Sequence, residues 1–165
     1  MNRCAAEEIH PDPGGPALDP CAIAQLGDLA ALERHLARGG ACDLRCDRGF
    51  TMLDLAAAHG HLLLVERLLA AGANVRTLHA AVAGGRAEVV RALLAAGAQV
   101  DGRDEAGLTP LHQAICQSDR ALVAALLRAG ADATAEVGDT GALALARRVG
   151  DPRLVGLLRQ RGARR

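Results

Sequence analysis

Two cysteines and two histidines lie close enough in the sequence to raise the question of a metal site. Three residues separate Cys42 from Cys46, and His35 and His59 flank the pair. Structural zinc sites usually combine the tighter spacing C-x-x-C with a second Cys or His pair at a matching distance. No such second pair follows here, and His59 with His61 does not have the H-E-x-x-H spacing of zinc hydrolases. We therefore expect no metal and no other cofactor.

Nucleophilic catalysis and phosphate binding lack the residues that they need. Ser118 is the only serine, and no His–carboxylate relay is recognisable beside Cys116. The Gly84-Gly85 pair is not followed by the Lys-Ser/Thr of a phosphate-binding loop. We expect that the protein is not an enzyme and takes no small-molecule substrate.

The charge gives no electrostatic reason to expect nucleic acid or an anionic membrane as the main partner. The 19 basic residues are all arginine and are balanced by 19 acidic residues. Residues 1–20 carry a net charge of −3 and residues 147–165 a net charge of +6. We interpret the basic end as a solvated terminus.

The five cysteines are odd in number and irregularly spaced, at positions 4, 21, 42, 46 and 116. No apolar signal segment follows the first Met, so we expect free thiols in a reducing cytosol and a cytoplasmic location. No run approaches the roughly 18 apolar residues of a membrane span. We expect no association with a membrane.

The apolar residues indicate thin, closely packed helices. Half of the 165 residues are apolar, but Leu, Ala and Val supply nearly all of them and Phe50 is the only aromatic residue. Aromatic side chains bury the most area each, so a globular core of this size normally contains several. A core of Leu and Ala favours short helices stacked in layers.

A sequence repeat decides the arrangement of those helices. Segments such as VERLLAAGA (65–73), VRALLAAGA (90–98) and VAALLRAGA (123–131) each follow a second short helical stretch. The glycines that close the units lie 33, 25, 33 and 32 residues apart, at positions 39, 72, 97, 130 and 162. Each predicted helix has about two turns and is too short to persist alone in water, so each pair must bury its leucines against the next pair.

The chain resembles the ankyrin-repeat family over about residues 18–163. Residues 109–114, TPLHQA, match the family signature T-P-L-H-x-A, and residues 78–81, LHAA, match it in part. The resemblance implies an all-α solenoid of stacked helix-turn-helix units with short β-hairpin finger loops. We predict a disordered leader at 1–17 and a basic tail at 164–165. The predicted repeats cover approximately 18–48, 49–76, 77–106, 107–138 and 139–163.

Local signals support these elements independently of the resemblance. Thr109 can cap a helix that begins with Pro110, and Thr51 with Asp54 can form a reciprocal cap. The first and last units carry polar residues at positions that are apolar elsewhere, as the ends of a solenoid require. The spacing of 25 predicts that the finger between units two and three is missing, near residues 74–78.

The resemblance implies that a partner protein binds the concave surface, formed by finger tips and inner helices. It also implies that His79 and His112 bridge backbone groups of adjacent repeats. For Phe50 we weigh packing in the core and binding of a partner equally. A lone aromatic side chain favours the core, but this residue lies just before a helix and not on its apolar stripe. In register, the binding residues would be Asp47, Arg48, Phe50, Ala58, His59, Ala83, Glu105, Ala106, Leu108, Cys116, Gln117, Thr140 and Arg148, with Val137 and Val149 beside them.

The leading functional hypothesis is an intracellular adaptor or scaffold that binds one protein and is itself a monomer. One alternative is a stoichiometric enzyme inhibitor, as are the small ankyrin inhibitors of cyclin-dependent kinases, although none of their specific motifs is recognisable. Another is a bacterial effector acting on host proteins, in which the absence of lysine would resist ubiquitin attachment. The sequence leaves the three open.

Overall fold

The computed structural model describes residues 19–46, 49–75, 78–138 and 140–163. Within these ranges the chain forms ten α-helices and one small antiparallel sheet. The predicted leader (1–17) and basic tail (164–165) lie outside the described residues. The elements are α1 (Pro20–Leu26), α2 (Leu29–Ala37), α3 (Met52–His59), α4 (Leu62–Ala70), α5 (His79–Ala83), α6 (Ala87–Ala95), α7 (Pro110–Cys116), α8 (Arg120–Arg128), β1 (Glu136–Val137), β2 (Thr140–Gly141), α9 (Ala142–Val149) and α10 (Pro152–Gln160).

The helices form five consecutive pairs in two rows. The odd-numbered helices contact one another in chain order and make the inner row, and the even-numbered helices make the outer row in the same way. One continuous apolar core runs through both rows from Ile23 to Ala163. The predicted all-α solenoid of helix-turn-helix units is confirmed. No helix in the described part of the chain has the length and apolar character to cross a membrane.

Both predicted helix caps are present. The Thr51 hydroxyl accepts a hydrogen bond from the Asp54 N–H (3.1 Å), and the Asp54 carboxylate accepts one from the Thr51 N–H (2.9 Å). Thr109 caps α7, which begins at Pro110. These contacts satisfy N–H groups that the first turn of a helix leaves without partners. They start α3 and α7 directly after the loops that carry candidate binding residues.

Three finger loops project between units. The first finger (residues 43–51) contains an isolated bridge between Arg45 and Thr51, and the third finger (132–142) contains the β1–β2 ribbon. In the second finger (99–109), the Asp104 N–H donates to the Leu108 carbonyl at 3.0 Å.

The connection between α4 and α5 is only eight residues long, from 71 to 78, whereas residues 96–109 connect α6 to α7. The missing finger is therefore confirmed, and both helices of the third unit form. Loops tolerate such deletions because they contribute little to the core.

The prediction that all five cysteines are free was wrong for two of them. Cys21 and Cys46 form a disulfide, with their Cα atoms 6.1 Å apart. The 25-residue separation gave no sign of this pair, because only the folded stack brings the first turn of α1 beside the first finger. Cys42 is buried and its thiol donates to the Ala71 carbonyl, Cys116 is exposed, and Cys4 lies outside the described residues.

Candidate partner-binding surface

The candidate surface consists of the finger tips and the C-terminal ends of the inner-row helices. Phe50 is 47% exposed, which rules out core packing for this side chain. Asp47 and Arg48 lie outside the described residues. Exposed positions are His59, Ala83, Glu105, Ala106, Cys116, Gln117 and Arg148, and half-buried positions are Ala58, Leu108, Val137, Thr140 and Val149.

The first finger ends in a tight turn that presents Phe50. The Cys46 N–H donates to the Phe50 carbonyl at 2.8 Å, and the Gly49 N–H donates to the Cys46 carbonyl at 2.7 Å. Gly49 has a φ of 78°, a conformation that glycine adopts without steric cost. The Cys21–Cys46 disulfide joins this turn covalently to α1.

The second finger contains the same turn with a different support. Gly107 donates to the Asp104 carbonyl at 2.9 Å, as Gly49 does to Cys46. Here the Asp104 carboxylate also accepts N–H groups of the turn, from Ala106 (3.0 Å) and Leu108 (2.8 Å). Such an aspartate turn needs only local contacts.

The second and third fingers are also joined to each other. The Arg103 guanidinium donates to the Gly107 carbonyl (2.8 Å) within its own finger and to the Glu136 carbonyl (3.0 Å) in the next. At their bases, the Asp101 carboxylate accepts the Asp132 N–H at 3.0 Å. The second and third fingers therefore support each other. The base of the first finger has the corresponding contact to the short connection, because the Asp43 carboxylate accepts the Asn74 N–H at 2.9 Å.

The floor beside the missing finger is formed by α3 and α5. A Cβ atom on Gly84 would collide with the Ala58 carbonyl, so the two helix ends approach as closely as their backbones allow. Ala83 is exposed at this point. At this point the floor is therefore lined by the small residues Ala58, Ala83 and Gly84.

The two signature histidines have structural partners. His79 Nε2 lies 2.9 Å from the Leu108 carbonyl in the next unit, which confirms the predicted bridge. His112 Nδ1 instead lies 2.7 Å from the Thr109 hydroxyl of its own unit, and its Nε2 has no hydrogen-bond partner within the described residues. Burial lowers the pKa of His112, and the Ala135 backbone opposes this effect only in part. His112 is therefore buried beneath the second and third fingers, where burial favours its neutral form.

Two exposed leucines were not predicted from the sequence. Leu26 is 72% exposed and Leu63 is 68% exposed. Leu26 precedes the turn residue Gly27 as His59 precedes Gly60, so the same register argument would have found it. For Leu63 the signal was the run of three leucines at 62–64. Three consecutive residues of a helix cannot all face the core, so one of them had to face solvent.

Ion pairs join neighbouring units along the outer row. Arg67 and Glu33 form a two-pronged pair with N–O distances of 2.5 and 3.0 Å, and hydrogen bonding to Arg67 lowers the pKa of Glu33. Arg120 lies 2.6 Å from Asp151, and this hydrogen bond likewise lowers the pKa of the Asp151 carboxyl. Both pairs stabilise the stack of units and lie apart from the finger tips.

The described residues offer little for other kinds of site. Two open concavities of about 260 and 420 Å³ lie on the last unit, next to Leu143 and Val155 respectively. In the described part of the chain, no three His, Cys, Asp or Glu side chains are grouped as a metal site would need. The first finger and the floor beside it remain the most distinctive surface.

Models of the ankyrin repeat match two adjacent stretches of the chain. A model of a single ankyrin repeat matches residues 48–77, and a model of three ankyrin-repeat copies matches residues 76–137. Together they cover more than half of the 165 residues, including the end of the first finger and the whole second finger. No protein of curated function matches the chain significantly.

Proposed function

This chain belongs to the ankyrin-repeat family, and on that premise we propose that it is a cytoplasmic adaptor that binds one partner protein through its first finger. Ankyrin repeats are generally protein–protein interaction modules, and this solenoid is one of them. We further propose where the partner binds and which side chain dominates the affinity.

The observation that carries the proposal is the distribution of exposed apolar side chains. Within the described residues, the four large apolar side chains with substantial exposure all belong to the first two units: Leu26, Leu29, Phe50 and Leu63. Large exposed apolar patches on a monomeric protein mark interaction sites. Phe50 is the member of this set on the first finger, whereas Leu26, Leu29 and Leu63 lie beside the turns at the opposite ends of α1 and α3. The partner is therefore expected to present an apolar segment to this end of the solenoid.

Phe50 is the favoured hot spot within that surface. Large, rigid side chains dominate binding energies at interfaces, and their truncation typically costs 2 kcal/mol or more. Phe50 stands at the end of the first finger and is 47% exposed. Because the next finger is missing, a bulky partner segment can cross the surface next to it and reach the floor at Ala83.

The test requires the partner, which affinity purification from the native cell followed by mass spectrometry would supply. With the partner in hand, Phe50→Ala is expected to weaken binding at least tenfold while lowering the unfolding temperature by only a few degrees. Val155→Ala on the outer-row helix α10 is the control and should leave the affinity within twofold. A large loss of stability with unchanged affinity would contradict the proposal. A captured enzyme that loses activity on binding would make the protein an inhibitor and not an adaptor.

A further inference from the structure

The first and second fingers differ in the residue that begins the turn, and in the first finger that residue is a cysteine. Cys46 and Asp104 occupy the same place in their turns. Each N–H donates to a carbonyl four residues later, that of Phe50 or Leu108, and each carbonyl accepts the N–H of a glycine three residues later, Gly49 or Gly107. Asp104 adds two hydrogen bonds from its carboxylate to the turn. The side chain of Cys46 is instead committed to the disulfide with Cys21.

The consequence is a finger whose support depends on the redox state. In the second finger, the carboxylate and the Arg103 link to the third finger hold the turn under any redox condition. In the first finger, the residue that corresponds to Asp104 is joined covalently to α1. Reduction would leave the turn with its backbone hydrogen bonds, and the finger with its attachment at Cys42 and Thr51 and the Asp43–Asn74 hydrogen bonds at its base.

We propose that Cys21 and Cys46 form a redox switch that orders the first finger when oxidised and loosens it when reduced. The change in order concerns the first finger alone. Oxidation would also pre-organise Phe50 and so strengthen the partner complex, and only this consequence rests on the proposed function.

The switch needs an oxidant, and a small disulfide of the glutathione type satisfies its chemistry. Cys46 is the more exposed of the two cysteines, because Cys21 is only 8% exposed. The Cys46 thiolate attacks one sulfur of the oxidant, forming a mixed disulfide and releasing one small thiolate. The Cys21 thiolate then attacks the Cys46 sulfur and releases the second small thiolate. Two electrons pass from the protein to the oxidant, and the two protons of the cysteine thiols end on the two released thiols.

The geometry suits reversible closure. The two Cα atoms are 6.1 Å apart, within the range that a disulfide spans without movement of the backbone. Both cysteines have defined positions: Cys21 lies in the first turn of α1, and Cys46 begins the hydrogen-bonded turn of the first finger. The exposed Cys116 lies on α7, in a different unit, and serves as an internal comparison.

Hydrogen exchange in glutathione buffers tests the switch without a partner, so its outcome is separate from that of the Phe50 experiment. Peptide mapping after alkylation should find Cys21 linked to Cys46 in oxidised glutathione and both alkylated in reduced glutathione. On reduction, the amides of Cys46 and Gly49 should exchange at least tenfold faster. The matched amides of Asp104 and Gly107 should change less than twofold.

Three variants make the result specific. Cys46→Asp installs the support of the second finger and should give slow exchange at Gly49 in both redox states. Cys21→Ser should give fast exchange in both states, and Cys116→Ser should behave as the unaltered protein. The switch is overturned if the 21–46 link does not form, or if reduction leaves the Cys46 and Gly49 amides unchanged. Equal acceleration in both fingers would also overturn it, because that result means a general loosening of the stack.

Discussion

The first finger and the pair formed by the second and third fingers solve the same structural problem differently. A projecting loop gains little from the apolar core, so its order depends on the polar and covalent contacts at its base. The paired fingers use the Asp104 carboxylate and the Arg103 bridge. The first finger uses the Cys21–Cys46 disulfide. The first and second fingers also have an aspartate contact at their bases, from Asp43 to Asn74 and from Asp101 to Asp132, so the difference lies at the turn.

The difference follows from the short connection at 71–78. A full finger there would have stood between the first and second fingers and could have supported both. Its loss leaves the exposed Phe50 beside the floor at Ala83. The same deletion therefore exposes the candidate binding surface beside a finger whose turn is held by the disulfide.

The largest expected effect comes from removing that support. Because the disulfide closes a loop between residues 25 positions apart, the chain-entropy model assigns it about 3.5 kcal/mol of unfolding free energy. Cys21→Ser should lose about this amount relative to the oxidised protein in urea denaturation. Repeating the measurement in reductant provides the control, since the two proteins should then differ by less than about 1 kcal/mol. A Cys21→Ser variant as stable as the oxidised protein would remove the distinction between the two kinds of finger.

A smaller effect is expected when the paired fingers lose their local support. Asp104→Ala removes two hydrogen bonds to backbone N–H groups, each worth about 1 kcal/mol net in a folded protein. We expect a loss of about 1–2 kcal/mol in unfolding free energy, the same in oxidising and reducing buffers. Dependence on the buffer would show that the second finger shares the redox sensitivity of the first.

The link between the paired fingers should matter less. Arg103 is exposed, so solvent weakens its two hydrogen bonds to carbonyl oxygens. Arg103→Ala should cost about 0.5–1 kcal/mol and should accelerate exchange of the Gly107 amide while leaving the Gly49 amide unaffected. Arg91→Ala, which removes an exposed arginine from α6, is a control for the loss of surface charge. An equal effect of both variants would mean that the bridge does not support the fingers.

The sequence predicted the parts of this arrangement that depend on local or periodic signals. The caps at Thr51 and Thr109, the helix pairs and the missing finger all follow from residues within one unit. They were confirmed because the local preferences and the stacking agree.

The long-range supports of the fingers could not be predicted, because they join residues that only the folded stack brings together. The Cys21–Cys46 link and the Arg103–Glu136 bridge span 25 and 33 residues. Leu63 shows a different limit: its neighbours Leu62 and Leu64 are also leucine, so composition alone did not reveal which of them faces solvent. The binding roles assigned by register stay predictions.

The smallest expected effect is a pH dependence confined to the paired fingers. Burial lowers the pKa of His112 below its ordinary value of 6.5, so the unfolded chain takes up a proton at a pH where the folded chain does not. Above pH 6.5 both states are neutral and the full stability is present. As the pH falls from 6.5 towards the lower pKa of the folded state, stability is lost. Because His112 lies beneath the second and third fingers, mild acid should lower the protection factors of the Asp104 and Gly107 amides, corrected for slower intrinsic exchange, more than those of Cys46 and Gly49. Urea denaturation should show that the free energy of unfolding falls between pH 7.5 and pH 5.5, and His112→Gln should reduce that fall. An unchanged fall in the variant would assign the acid sensitivity to other groups. The two kinds of finger would then be alike in their response to pH.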